Sequence, residues 1–221
     1  MISHRFPAVL PFLCLASLCA IVTAAPVPLS DGKTFDGWEP GTKELWHIED
    51  GAFVGGTLTE QVPHNDFLST AKSYKNFDLH LKFKLNGTGF VNGGVQFRSE
   101  RIPNFEMKGY QADMGDPSWW GCLYDESRRN KVLVQSPMDE LKKVLKHDDW
   151  NDYRVRCEGP HIQLWINGLK TVDYTEPDAG IPQDGKIGLQ IHGGGKSQAW
   201  YKDIVIEELP DSAGTSAPSA K

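Results

Sequence analysis

A chain of 221 residues with 39% hydrophobic, 10% aromatic and 24% charged residues is too apolar and too weakly charged to stay disordered, and long enough for one sizeable core. Its formal net charge is −6, and no stripe of lysine and arginine interrupts the sequence. Duplex nucleic acid demands a basic footprint, so no nucleic-acid partner is expected.

Residues 1–24 read as a removable export signal. His4 and Arg5 precede an apolar stretch from Pro7 to Val22, and Val22-Thr23-Ala24 presents small residues for cleavage before Ala25. Pro7 and Pro11 break that stretch, which falls short of the roughly 20 residues of a spanning helix, so no membrane anchor is expected after signal removal. The mature protein is expected in the periplasm or outside the cell. Cys122 and Cys157 remain in it, either as a disulfide or as two buried thiols.

Apolar residues then recur with period two, the mark of half-buried antiparallel strands. Phe77 to Leu85 alternates five apolar with four polar side chains, and similar strands are predicted at Val95–Arg98, Tyr110–Met114 and Tyr153–Cys157. Further strands are predicted at Ile162–Ile166, Ile187–His192 and Trp200–Ile206. Asn167-Gly168 supplies two positive φ angles, so Leu169–Tyr174 should fold back as a hairpin. One short helix is predicted after Ser136-Pro137, with Ser136 as its cap and Met138, Leu141, Val144 and Leu145 at helical spacing. Many short strands, 22 glycines, 14 prolines and almost no helix imply an all-β fold, a two-sheet antiparallel sandwich of jelly-roll type. It forms one domain over residues 25–209, followed by a Pro/Ser-rich tail, 210–221, expected to be disordered.

Alternation also assigns polar residues to faces. Gln96 and Arg98 oppose Val95 and Phe97; Gln111 and Asp113 oppose Tyr110 and Ala112; Gln190 and His192 oppose Leu189 and Ile191. If these strands are neighbours, three amides, an Arg, an Asp and a His share one concave surface. Amides and charged groups beside aromatic rings suit the hydroxyls and C–H faces of a sugar. The segment from Gly115 to Arg129, with Trp119, Trp120, Tyr124, Asp125 and Glu126, reads as a wall of that cleft. His192-Gly193-Gly194-Gly195 lacks the Gly-x-Ser-x-Gly partner of an esterase loop, and no zinc-ligand spacing is present.

Taken in order, several motifs resemble the 3-keto-disaccharide hydrolase family. They are Leu29-Ser-Asp-Gly-Lys-Thr-Phe-Asp-Gly-Trp38, Leu45-Trp-His-Ile-Glu-Asp-Gly51, Asn92-Gly-Gly-Val-Gln-Phe-Arg98, Gly109-Tyr-Gln-Ala-Asp113, Asp149-Trp-Asn-Asp-Tyr153, Trp165-Ile-Asn-Gly168 and Gly188-Leu-Gln-Ile-His192. Gly93-Gly94 departs from the Ser-Gly often found in that family, removing a hydroxyl. The resemblance implies a concanavalin-like jelly roll and cleavage of 3-keto-glycosides. A 3-keto group acidifies the hydrogen on C2, so one base, one proton donor and a group that stabilises an enolate suffice. Asp113 or His192 would be the base with the other as donor, and Arg98 would stabilise the enolate. Gln96, Gln111, Gln190, Tyr124, Asp125 and Glu126 would bind substrate, and Trp120 would stack on the ring. No cofactor is demanded; a divalent cation held by Glu106, Asp113 or His192 is the other way to polarise the ketone. The alternative is a non-catalytic, lectin-like carbohydrate-binding module, since one fold hosts both.

Overall fold

Period-two alternation becomes two antiparallel sheets packed face to face, with the apolar face of each turned toward the other. The structure, a computed structural model, describes residues 25–211. Its strands are β1 (Val27–Pro28), β2 (Trp38–Pro40), β3 (Trp46–Glu49), β4 (Ala52–Gly56), β5 (Asp66–Tyr74), β6 (Phe77–Thr88), β7 (Asn92–Arg101) and β8 (Met107–Gly115). They continue with β9 (Leu123–Glu126), β10 (Lys131–Val134), β11 (Asn151–Glu158), β12 (His161–Ile166), β13 (Leu169–Thr175), β14 (Gly185–Ile191) and β15 (Lys196–Glu208). The eight-stranded sheet runs β13-β12-β11-β6-β15-β4-β3, with β1 also pairing with β15. The seven-stranded sheet runs β10-β9-β8-β7-β14-β5-β2.

All eight strands expected from alternation are present, and the order β8-β7-β14 puts the three polar-faced ones side by side. Between the sheets lie Leu79, Leu81 and Phe83 of β6, Val95 and Phe97 of β7, and Leu189 and Ile191 of β14, all buried. The hairpin between β12 and β13 turns on Asn167 at φ 49° and Gly168 at φ 83°, as its sequence requires. At Arg98 the alternation fails. Its φ is 48°, and the register between β7 and β8 shifts between Phe97 and Glu100, which is a β-bulge.

The helix shrinks to one turn, α1 (Met138–Leu141), and Ser136 is not its cap. Pro137 occupies the cap position without a side-chain bond, while the Ser136 hydroxyl donates to the Trp120 carbonyl at 2.6 Å. Cys122 and Cys157 are both buried free thiols. No helix among the described residues is long and apolar enough to cross a membrane. The expected signal, 1–24, and residues 212–221 of the expected tail lie outside the described residues.

Candidate active site

A ladder of buried amides runs across the face of the seven-stranded sheet turned away from the core. Gln96 of β7 donates through Nε2 to Gln111 of β8 at 3.0 Å, and Gln111 donates to Gln190 of β14 at 3.1 Å. Ser99 donates its hydroxyl to Gln96 at 2.6 Å, so the chain of donors has one direction. It ends at Gln190 Nε2, which is buried with no acceptor among the described residues. The ladder needs glycine between its rungs: a Cβ on Gly94 would lie 2.7 Å from the Gln111 side chain. Amides that satisfy one another in this way hold fixed orientations.

Beside the middle rung of this ladder a cavity of about 110 Å³ opens, lined by Asn65, Asn92, Gln111 and Asp113, with Glu126, Tyr124, Trp119, Phe90 and His192. Asp113 is 3% exposed and has no cationic partner within salt-bridge distance among the described residues. Its Oδ1 accepts from Asn92 Nδ2 at 3.1 Å and from the Met114 N–H at 2.8 Å. Burial nevertheless pushes its carboxyl up to about 7, because those bonds only partly offset the loss of water and Glu126 adds like charge. Glu126 is likewise pushed up to about 7, first by burial and then by the charge of Glu106. Glu106 is raised by burial as well; its Oε1 accepts from Asn65 at 3.2 Å, while its Oε2 is buried without a partner.

His192 follows β14 and bonds through Nδ1 to the Gly193 carbonyl at 2.7 Å. A carbonyl only accepts, so Nδ1 carries the proton and the neutral ring keeps its Nε2 lone pair. Burial lowers its pKa and favours that neutral form. Phe90 stands edge-on to His192 at 4.7 Å between ring centroids, and Phe105 stacks on His64 at 4.6 Å. Both phenylalanines are exposed, and Phe90, which lines the cavity, gives it an apolar platform.

Of the residues singled out from sequence, Gln111, Asp113 and His192 line this cavity with Tyr124 and Glu126 from β9, and Gln96 and Gln190 connect to it through their bonds to Gln111. Three do not. Arg98, turned by the bulge, donates to the carbonyls of Lys75 and Gly159 and to Asn76 Oδ1, and it does not line the cavity. Trp120 is a core residue, 5% exposed, stacked near Phe83 at 6.2 Å and bonded through Nε1 to Asp116. Its neighbour Trp119 reaches the cavity instead and stands edge-on to Tyr124. Asp125 is fully buried on the opposite face of β9, ion-paired with Arg128 and Arg129. Among the described residues no three of His, Cys, Asp and Glu are grouped to hold a metal ion, so Glu106, Asp113 and His192 do not form a ligand set.

Asn65, Phe90 and Asn92 escaped the sequence reading, and Trp119 was placed in the cleft wall while the stacking role went to its neighbour Trp120. Asn92 had a signal, since it shares the parity of Gln96 along β7; the others sit in turns or just outside strands, where no alternation assigns a face.

Sequence comparison then decides the family. Residues 25–207 match the model of the 3-keto-alpha-glucoside-1,2-lyase-like domain. The chain belongs to this family. No curated protein matches its sequence. Among solved structures, a candidate glycosyl hydrolase from Parabacteroides distasonis is similar, at 23% identity and a TM-score of 0.62 over 84% of this chain and 100% of that one. The carbohydrate-binding module CBM66 from Bacillus subtilis matches 78% of this chain and 96% of its own, at 14% identity and a TM-score of 0.60. The catalytic domain of an endo-1,3-beta-glucanase from Thermotoga petrophila matches 77% and 82%, at 13% identity and a TM-score of 0.54. These likenesses establish the sandwich fold, and the family membership establishes a role in carbohydrate chemistry at a coarse level.

Proposed function

We propose that this chain is an exported enzyme that cleaves 3-keto-glycosides by proton abstraction at C2, elimination of the C1 substituent and hydration of the product. One observation carries the reading: Asp113 and Glu126 line the same cavity and are both held near 7, where one serves as base and the other as acid at neutral pH. The cavity takes the reacting edge of the sugar, and the aromatic mouth takes the remainder.

Asp113 removes the proton on C2, and the C–H electrons form the C2–C3 double bond as the ketone becomes an enolate. The cavity contains no lysine or arginine, so the enolate oxygen is met by a neutral donor. The Tyr124 hydroxyl has no hydrogen-bond partner among the described residues and fills the role expected of Arg98. The enolate then collapses to a ketone, a C1–C2 double bond forms, and the C1–O bond breaks with Glu126 giving its proton to the leaving oxygen. Water, oriented by the free Nε2 of His192, adds at C1 and gives its proton back to the Glu126 carboxylate, while C2 regains a proton from Asp113. The sum is hydrolysis.

A binding-only module is the second reading, since the exposed ring of Phe90 beside the buried amides would hold a sugar without any proton transfer. Time-resolved product analysis on a 3-keto-glucoside and its unoxidised parent separates the two. Aglycone release from the keto sugar alone is expected. Saturable binding of the parent sugar with no release from either would replace the enzyme with the binder, and a chelator control reports whether a cation takes part.

A further inference from the structure

A second cavity, of about 550 Å³, lies at the other end of the seven-stranded sheet. Its walls are the end of β7, the start of β8, the start of β14 and the segment from Gly180 to Asp184. Lys108 on its wall is five residues from Asp113 along β8, roughly 17 Å at about 3.4 Å per residue, so this is not the carboxylate pocket.

Five cationic side chains line it against two carboxylates. Three of the five have carboxylate partners: Lys108 pairs with Glu100, Lys186 with Glu39 and Arg128 with Asp125. Arg98 and Arg101 do not. Arg98 is spent on the uncharged oxygens of Lys75, Asn76 and Gly159, and Arg101 donates through Nη2 to the carbonyls of Glu39 and Phe67. Hydrogen bonds to carbonyls satisfy donors but leave the charge uncompensated. The Nε and Nη1 of Arg101 have no acceptor among the described residues, which leaves the guanidinium a free edge for a planar anion. Burial pulls Arg101 below its usual pKa, and the charges of Asp66 and Glu39 only partly restore it. With the three pairs set aside, the two arginines face Asp184 in the wall and Asp66 and Glu39 close to Arg101, so it is the unpaired edge of Arg101, more than a net positive charge, that offers an anion a partner. Ile181 and Pro182 add an apolar wall.

We propose that this cavity binds the anionic substituent of a saccharide, a uronate carboxylate or a sulfate ester, with Arg101 as the direct ligand and Arg98 as fixed background charge. The apolar wall takes a sugar C–H face, which a free inorganic anion lacks. The site stands independently of the cleavage proposed above.

Calorimetric titration of the protein at low ionic strength tests it, with glucuronic acid, glucose 6-sulfate, glucose and inorganic sulfate as probes. Glucuronic acid and glucose 6-sulfate should bind at least tenfold more tightly than glucose, and should weaken as salt is added. Arg101→Gln should cost at least tenfold. Because that change also removes bonds to two carbonyls, Lys108→Glu on the exposed rim is the second variant, and it too should weaken binding about tenfold while melting like the parent. Asp113→Asn should bind the acidic probes as tightly as the parent, so failure here and failure of the cleavage reading are separate outcomes. Equal binding of glucose, no binding of either acidic sugar, or indifference to both charge changes would overturn the proposal. Inorganic sulfate binding as tightly as glucose 6-sulfate would overturn its saccharide part.

Discussion

Asp78 and Asp113 are the same residue type at nearly the same depth, 5% and 3% exposed, in the two sheets of one sandwich. Asp78, on the outer face of the eight-stranded sheet, accepts from Arg154 at 2.8 Å and 2.5 Å, from Arg156 at 3.0 Å and lies 3.0 Å from His80. Burial alone would raise its pKa, but the two guanidiniums hold it below the usual carboxylate range. Asp113 meets only an amide and a backbone N–H, and rises to about 7. Depth therefore does not distinguish a candidate catalytic carboxyl from a structural one. The missing counter-charge does, and it is what keeps a proton exchangeable at neutral pH.

The hardest way to break this contrast is Asp113→Asn, which keeps shape and the acceptor for Asn92 but removes the base. Turnover of a 3-keto-glycoside should fall roughly 10²–10⁴-fold, with KM changed by no more than a few-fold. A loss smaller than tenfold would remove Asp113 from the mechanism. The pH profile of kcat/KM in the unaltered protein should be a narrow bell centred near 7, because both carboxyls titrate there as a coupled pair. Glu126→Gln should erase its alkaline limb, the one along which the donor loses its proton.

A second contrast lies between adjacent tryptophans. Trp120→Ala empties a core position and should cost about 3–5 kcal/mol in denaturant unfolding. Trp119→Ala removes a ring from the cavity wall and should instead raise KM about tenfold, with the melting temperature nearly unchanged. Equal effects from both would mean that the two rings share one environment.

This pair also marks how far sequence carries. On β7, β8 and β14 a strict period of two put Gln96, Gln111, Asp113, Gln190 and His192 on one face, and the structure brings them together. Trp119 and Trp120 sit in a turn, where consecutive residues have no parity to read, so the wrong ring was assigned to the sugar. Arg98 lies inside an alternating run, yet one left-handed residue flips its side chain away, and nothing local in Phe97-Arg98-Ser99 announces the bulge. Asp125 was legible in principle, because Tyr124 and Glu126 share a face that excludes it. The buried state of the amide ladder was not, since it depends on which residues lie across the face from other strands. Strands β2 to β5 are short or unevenly patterned, and their pairing is set by partners far along the chain.

The same two aspartates predict opposite pH dependences of stability. Asp113 has a folded pKa raised from the ordinary 3.8 to about 7, so the native state holds its proton where the unfolded chain has released it. Below about pH 4 its ionisation adds no penalty, and the penalty grows as pH rises to about 7. Asp113→Asn should therefore be no more stable than the parent at pH 4, and more stable at pH 8 by roughly 4 kcal/mol.

Asp78 runs the other way. Its depressed folded pKa supplies stability that is present above the ordinary carboxylate value and lost as pH falls through the folded one. Asp78→Asn leaves Arg154 and Arg156 without their shared acceptor and should cost about 1–3 kcal/mol at pH 7, a difference that shrinks as the pH is taken below about 4. The variant should turn over substrate at the parent rate, because that face carries paired charges and no exchangeable proton. If Asp78→Asn instead slowed turnover while leaving the melting temperature at pH 7 untouched, counter-charge would no longer separate the two sheets. Chemistry would then have to be sought on the arginine-rich outer face as well.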